Sequence, residues 1–167
     1  GGVEVLAATD DGPVFAGDRA LPIQILDASL LGWRVTLTAP EPVVADEYGV
    51  LRFALHPGDA VEPGSRPRLA VSLRPGRTID LTAEGLINLN LKEWQQVELP
   101  LELFELDGRA IDGLRFDGTI EGTFYVDEVR LETRFLRSAT AVLEERQDVA
   151  PQDFSLGQNY PNPFNSG

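Results

Sequence analysis

Residues 113–132 read GLRFDGTIEGTFYVDEVRLE, and the division of this stretch decides the fold. Leu114 and Phe116 alternate with polar neighbours, Gly118 and Gly122 mark a turn, and a second alternating run follows. That is the pattern of two strands joined by a short connection. In the second run Phe124 and Val126 share one parity, whereas Val129 and Leu131 share the other. Side chains on a strand alternate with period two, so a change of apolar parity midway calls for a bulge, here at Asp127 and Glu128. The stretch is expected to be the closing hairpin of a β-sheet protein. Two carboxylates at its irregular point read either as a metal site or as a solvated kink.

Outward from this stretch, Pro and Gly recur at intervals of about 8–12 residues, the spacing of short strands in a sandwich or barrel. Candidate strands are 3–7, 20–26, 33–38, 49–55, 68–74, 78–81, 86–91, 94–99, 111–116 and 123–132. Several alternate cleanly: Trp33, Val35 and Leu37 face one way, as do Leu51, Phe53 and Leu55, and Leu69, Val71 and Leu73. Pro22 cannot donate to a ladder, so 20–26 is expected at a sheet edge or a bulge. Helical signal is scarce. One turn is expected at 101–104 after Pro100, while SATAVLEERQ at 138–147 has good helix formers but no broad apolar face. The fold expected is all-β: a jelly-roll-like antiparallel β-sandwich of about 8–10 strands over residues 1–136, with an extended C-terminal tail.

Composition sets the functional bounds. The chain has 167 residues, 14 basic against 27 acidic, for a net charge of −13. Such a balance argues against nucleic acid and anionic membrane as partners. No apolar run approaches the roughly 20 residues of a membrane span, and no signal-peptide pattern is present, so an exported protein would be represented here by its mature part. Cysteine is absent, which excludes thiol chemistry, zinc–thiolate sites and disulfides. His56 is the single histidine and sits in the turn His56-Pro57-Gly58-Asp59, where a structural role is expected. No Cys–His or Ser–His–Asp set can be assembled, and no glycine-rich phosphate loop leads from a strand into a helix. The chain is read as non-catalytic. For sugar binding, which needs exposed aromatic faces beside polar groups, the candidates are Tyr48 in the Asp46-Glu47-Tyr48 loop and Tyr125, opposite in parity to Phe124 and Val126. Trp33 shares a face with Val35 and Leu37 and is expected in the core.

From about Ser138 the character changes. Residues 137–152 read as a polar, acidic linker, and FSLGQNYPNPFN at 154–165 is aromatic and proline-rich. This last segment resembles the opening strand of the C-terminal sorting domain of the type IX secretion system of Gram-negative bacteria. Asn159, Tyr160, Pro161, Asn162, Pro163, Phe164 and Asn165 carry the likeness, so 153–167 is read as the truncated first strand of such a domain. The resemblance implies the type IX secretion machinery as a partner and a location outside the cell or on its outer surface. A tail with β-prone and aromatic stretches also allows a different role, a structural subunit of a filament or surface layer that self-assembles by donating its tail to an edge strand.

A second, looser resemblance covers about residues 3–132. EWQQVELPLELF, IDGLRFDG, GTFYVDEVRLE and GVLRFALHPGD are similar to strands of carbohydrate-binding-module-like (galactose-binding-like) jelly rolls. The likeness implies a secreted or cell-surface module with a polysaccharide or surface glycan as partner, and Trp94 packed against the sandwich. It also implies a structural calcium ion (Ca2+) held by Asp127 and Glu128 at the bulge together with Asp18 from the loop Ala16-Gly17-Asp18, a set of oxygen ligands of the kind calcium prefers.

Overall fold

The computed structural model describes residues 3–5, 12–26, 32–60 and 68–133. Among the described residues nine strands run in chain order: β1 (Val3–Val5), β2 (Leu21–Ile25), β3 (Trp33–Val44), β4 (Tyr48–His56), β5 (Leu69–Arg74), β6 (Thr78–Asp80), β7 (Gln95–Pro100), β8 (Ala110–Gly118) and β9 (Gly122–Thr133). They form a five-stranded sheet in the order β1-β2-β9-β4-β7 and a four-stranded sheet in the order β3-β8-β5-β6. Every pairing is antiparallel. Apart from the β5–β6 hairpin and β1, successive strands change sheet, which is the winding of a jelly roll.

The alternation read from the sequence faces the two sheets onto one core. Leu51, Phe53 and Leu55 of β4, Val97 and Leu99 of β7, and Phe124 and Val126 of β9 meet Leu69, Val71, Leu73, Leu114 and Phe116 from the other sheet. Aromatic rings bridge the gap. Phe53 meets Phe116 edge-on at 5.9 Å, Phe116 meets Phe124 at 6.0 Å, and Trp33 stacks on Phe124 at 5.7 Å. Each of these phenylalanines is fully buried, and such a side chain gains about 1.5–3 kcal/mol from leaving water.

The stretch 113–132 is not a hairpin. β8 pairs with β3 and β5 in one sheet, and β9 pairs with β2 and β4 in the other. The segment between them is therefore an arch that carries the chain across the core, so that one stretch supplies an inner strand to each sheet. Ile120 at its summit is fully buried, and its carbonyl accepts the Trp33 indole N–H at 2.7 Å. Thr119 donates its N–H to the Arg68 carbonyl, and its hydroxyl accepts the Arg68 N–H. A Cβ on Gly118 would lie 2.6 Å from both the Arg68 carbonyl oxygen and the Trp33 ring, so only glycine fits where the arch begins.

The bulge lies where the parity change put it. Arg52 faces Arg130 and Ala54 faces Asp127, so two β9 residues stand against Phe53 alone, and Glu128 has φ 51°. Before it Phe124 and Val126 point inward, and after it Val129 and Leu131 pack against the core. The expected one-turn helix forms as a 3₁₀ turn at Leu101–Phe104, with Phe104 fully buried.

Two further expectations need correcting. Pro22 does not mark an outer edge: β2 lies second in its sheet, with β1 alongside Ile23–Ile25 and Pro22 just past that contact. The true long edge strand is β3, which runs on through Pro40 and Pro42 where its register with β8 breaks, as prolines at an edge allow. Residues 86–91 alternate but make turns, because Leu86 and Ile87 both donate to the Leu81 carbonyl and Gln95 bonds back to Asn88. Ile87 is buried there without a strand.

Replacing Phe116 removes the ring that links Phe53 to Phe124. Phe116→Ala is expected to cost about 3–5 kcal/mol in urea unfolding, against well under 1 kcal/mol for an exposed control such as Glu84→Ala.

Candidate functional site

The face of the five-stranded sheet turned away from the core is divided into a charged half and an aromatic half. Alternation points Arg52, Ala54 and His56 outward from β4, Gln96 and Glu98 from β7, and Thr123, Tyr125 and Asp127 from β9. Past the bulge the outward residues become Arg130 and Glu132. Here cross-strand charges form a ladder. Arg52 binds Glu98 at 2.6 Å and Glu132 at 2.9 Å, while Arg130 binds Glu132 at 3.3 Å and Glu128 at 2.8 Å. The two arginines are cross-strand neighbours, and Glu132 shared between them offsets their repulsion.

The other half is aromatic. Trp94 immediately precedes β7 and continues the outward parity of Gln96 and Glu98. Its ring lies 5.7 Å from Phe15, tilted by 58°, and 5.4 Å from His56, at 68°. His56 in turn meets the Tyr125 ring at 6.2 Å and 83°. Phe15 is 38% exposed, and Trp94, His56 and Tyr125 are half-buried. Trp94 thus departs from the expected core position: the core is filled by its neighbours Val97 and Leu99, and the tryptophan lies on the outer surface. Two glycines make room for Tyr125. A Cβ on Gly12 would come within 2.5 Å of one side of the ring and one on Gly58 within 2.9 Å of the other.

The surroundings of His56 favour its neutral form. Its Nδ1 accepts the Gly58 N–H at 2.9 Å. Burial lowers its pKa below the ordinary histidine value; a hydrogen bond with the Lys92 backbone works against this, and the Lys92 charge works with it. Lys92 itself donates to the Ala60 carbonyl at 2.9 Å.

The carboxylates expected to hold calcium are placed as follows. Asp127 does meet the early loop, but through backbone amides: its Oδ2 accepts the N–H groups of Phe15 at 3.0 Å and Ala16 at 3.1 Å, and its Oδ1 accepts that of Glu128 at 2.7 Å. Glu128 is paired with Arg130, and Asp18 is exposed. Among the described residues no three acidic or histidine side chains are grouped to hold a metal ion. Among the described residues the partners of Asp127 are N–H donors, the reverse of the six to eight oxygens that calcium takes.

The two tyrosines expected to bind ligand are not brought together. Tyr125 is cross-strand to His56, whereas Tyr48 is cross-strand to Thr133 at the other end of β4. Eight residues of strand separate the two positions, roughly 26 Å. Tyr48 packs against the core cluster instead. Residues that a sequence reading missed are Phe15, Trp94 and His56. The even spacing of Trp94, Gln96 and Glu98 against Val97 and Leu99 was the available signal for Trp94. The sorting motif at 159–165 lies outside the described residues.

A second recess, a cavity of about 280 Å³ at one end of the four-stranded sheet, is lined by Gly32, Trp33, Arg34, Arg68, Asp117 and Gly118. Its buried Asp117 is neutralised by Arg34 at 2.7 Å and Arg115 at 3.3 Å, which reads as structural pairing.

No family model matches the chain, and no curated protein matches it in sequence. Among solved structures it is similar to part of a β-1,2-glucanase from Parabacteroides distasonis, with a TM-score of 0.52 and 17% identity over 79% of this chain. The chain spans 22% of that protein's length. A family 11 carbohydrate-binding module from Clostridium thermocellum, solved with a β-1,3-1,4-mixed-linked tetrasaccharide, matches 80% of this chain and 85% of its own at 15% identity and a TM-score of 0.48. A module specific for non-crystalline cellulose, CBM28, matches 78% of this chain and 81% of its own at 15% identity and 0.42. At these identities the likeness concerns the fold alone.

Proposed function

We propose that the chain is a non-catalytic glycan-binding module whose binding face is the outward surface of the five-stranded sheet. The observation that carries this reading is the outward aromatic cluster of Phe15, Trp94, His56 and Tyr125 at the head of a polar strip. Sugar rings present C–H faces that pack on aromatic rings and hydroxyls that need hydrogen-bonding partners. The cluster supplies the first, and Gln96, Arg52, Glu98 and Glu132 the second. From His56 to Arg52 the strip runs roughly 13 Å along β4, long enough for a short oligosaccharide. The rings are inclined to one another by 58° to 83°, so they cannot lie together on a flat crystalline surface. A single glycan chain suits them better. The motif at 159–165 supports an exported module that meets its glycan outside the cell.

The test is a panel of soluble polysaccharides in affinity electrophoresis, with crystalline and amorphous cellulose in pull-downs. Binding to at least one soluble or amorphous glycan is expected, and Trp94→Ala should weaken it about tenfold or more, the loss of one or two stacking contacts. Tyr48→Ala should leave it unchanged. Binding to nothing in the panel, or equal loss in Tyr48→Ala and Trp94→Ala, would overturn the reading.

The lowered pKa of His56 also makes stability depend on pH. Its folded pKa is depressed, so the unfolded chain takes up a proton first as pH falls below about 6.5. The stabilisation is complete above that pH and is lost as pH drops through the folded value. Urea midpoints are expected to decline from pH 7 toward pH 5.5, above the range where carboxylates titrate. In His56→Asn that decline should be absent.

A further inference from the structure

The loop at 12–18 lies beside the aromatic end of the binding face. Among the described residues its hydrogen bonds are the two from the successive amides of Phe15 and Ala16, and both end on one oxygen of Asp127. The other oxygen is occupied by the Glu128 N–H, donated from the bulge. Glu128, whose φ is 51°, lies at the bulge, so the bulge supplies this third amide to the Asp127 carboxylate. Cross-strand from Asp127 stands Ala54, too small to cover the carboxylate. On either side of the anchor the loop rests on rings, Gly12 against Tyr125 and Phe15 against Trp94. Beyond it Gly17, with φ 72° and open space around it, and Asp18 are exposed.

We propose that Asp127 is a positioning residue for the binding face: its carboxylate anchors the loop through two backbone amides and thereby sets the Phe15 ring against Trp94. The proposal rests on the glycan reading for its purpose, but its geometry stands without a ligand. Hydrogen bonds to a charged acceptor are about twice as strong as neutral ones, and two on one oxygen fix both the position and the direction of a short loop. No ion is required at this point. The amides do the work that a cation would do by joining a carboxylate to loop carbonyls. Both amides lie near the surface, so water can replace the carboxylate when it is removed. Loss of the anchor therefore loosens the loop without unfolding the sandwich.

The experiment reads Trp94 rather than a ligand. Trp33 is only 6% exposed, so acrylamide quenching of the two tryptophans reports chiefly on Trp94. Asp127→Ala and Phe15→Ala are each expected to raise the quenching constant about twofold, by uncovering one face of the indole, with the urea midpoint close to that of the parent protein. Asp127→Asn keeps an acceptor oxygen for the loop amides and should fall between. In the parent protein, hydrogen exchange at the Phe15 and Ala16 amides should be slower than at Gly17 and Asp18, which tests the anchor even if a variant fails to fold. Quenching should be the same in calcium and in chelator. The proposal is overturned if Phe15→Ala raises quenching and Asp127→Ala does not, if the two amides exchange as fast as their neighbours, or if chelator alone raises quenching. A failed glycan panel with these results intact would reject the glycan reading and leave the anchor standing.

Discussion

A sandwich of two sheets is held at one spacing and one register by whatever crosses between them, and here the decisive crossing is the arch between β8 and β9. Its summit carbonyl, on Ile120, is buried and accepts the Trp33 indole N–H, so the polar group that the crossing takes out of water is paired by a side chain from β3, the strand beside β8. The same indole stacks on Phe124, which touches Phe116, which touches Phe53. These four rings come alternately from the two sheets. Hydrogen bonding at the arch and ring packing in the core therefore fix the same geometry.

β9 carries that geometry to the outer surface. Its inward residues Phe124 and Val126 belong to the core, and Tyr125 and Asp127 between and after them form the outer face. The bulge then resets the parity so that Val129 and Leu131 return to the core while Arg130 and Glu132 join the charge ladder. One irregularity thus separates an aromatic half from a charged half on the same sheet. It also supplies a backbone amide to the Asp127 carboxylate.

Much of the fold was legible because period-two alternation reports which side chains face the core. The strands around Phe53, Val71 and Val35, the bulge, and the 3₁₀ turn after Pro100 all follow from local pattern. Alternation does not say which strand lies beside which. Gly118 and Gly122 look alike as a hairpin turn or as an arch, and the long-range pairings of β8 with β3 and β5 and of β9 with β2 and β4 distinguish the two. Residues 86–91 alternate for burial of Ile87 while their backbone bonds are taken by turns. The site was less legible. Asp127 meets an early loop through backbone amides, which leave no mark in a sequence. Trp94 had the parity of an outward residue, and Tyr48 had the look of a loop aromatic although it packs on the core. Phe15 gains meaning only from the loop that brings it to Trp94.

The central claim is that the outward aromatic face, and not the four-stranded sheet, meets a glycan. Titrating isotope-labelled protein with soluble glucan, xylan and mannan oligosaccharides and following its NMR spectrum tests this most directly. The predicted result is a saturable shift of the Trp94 indole N–H and of the Gln96, Thr123 and Tyr125 amides, while the Trp33 indole N–H, bonded to Ile120, stays in place. Saturable shifts confined to the four-stranded sheet, with Trp94 unmoved, would contradict it.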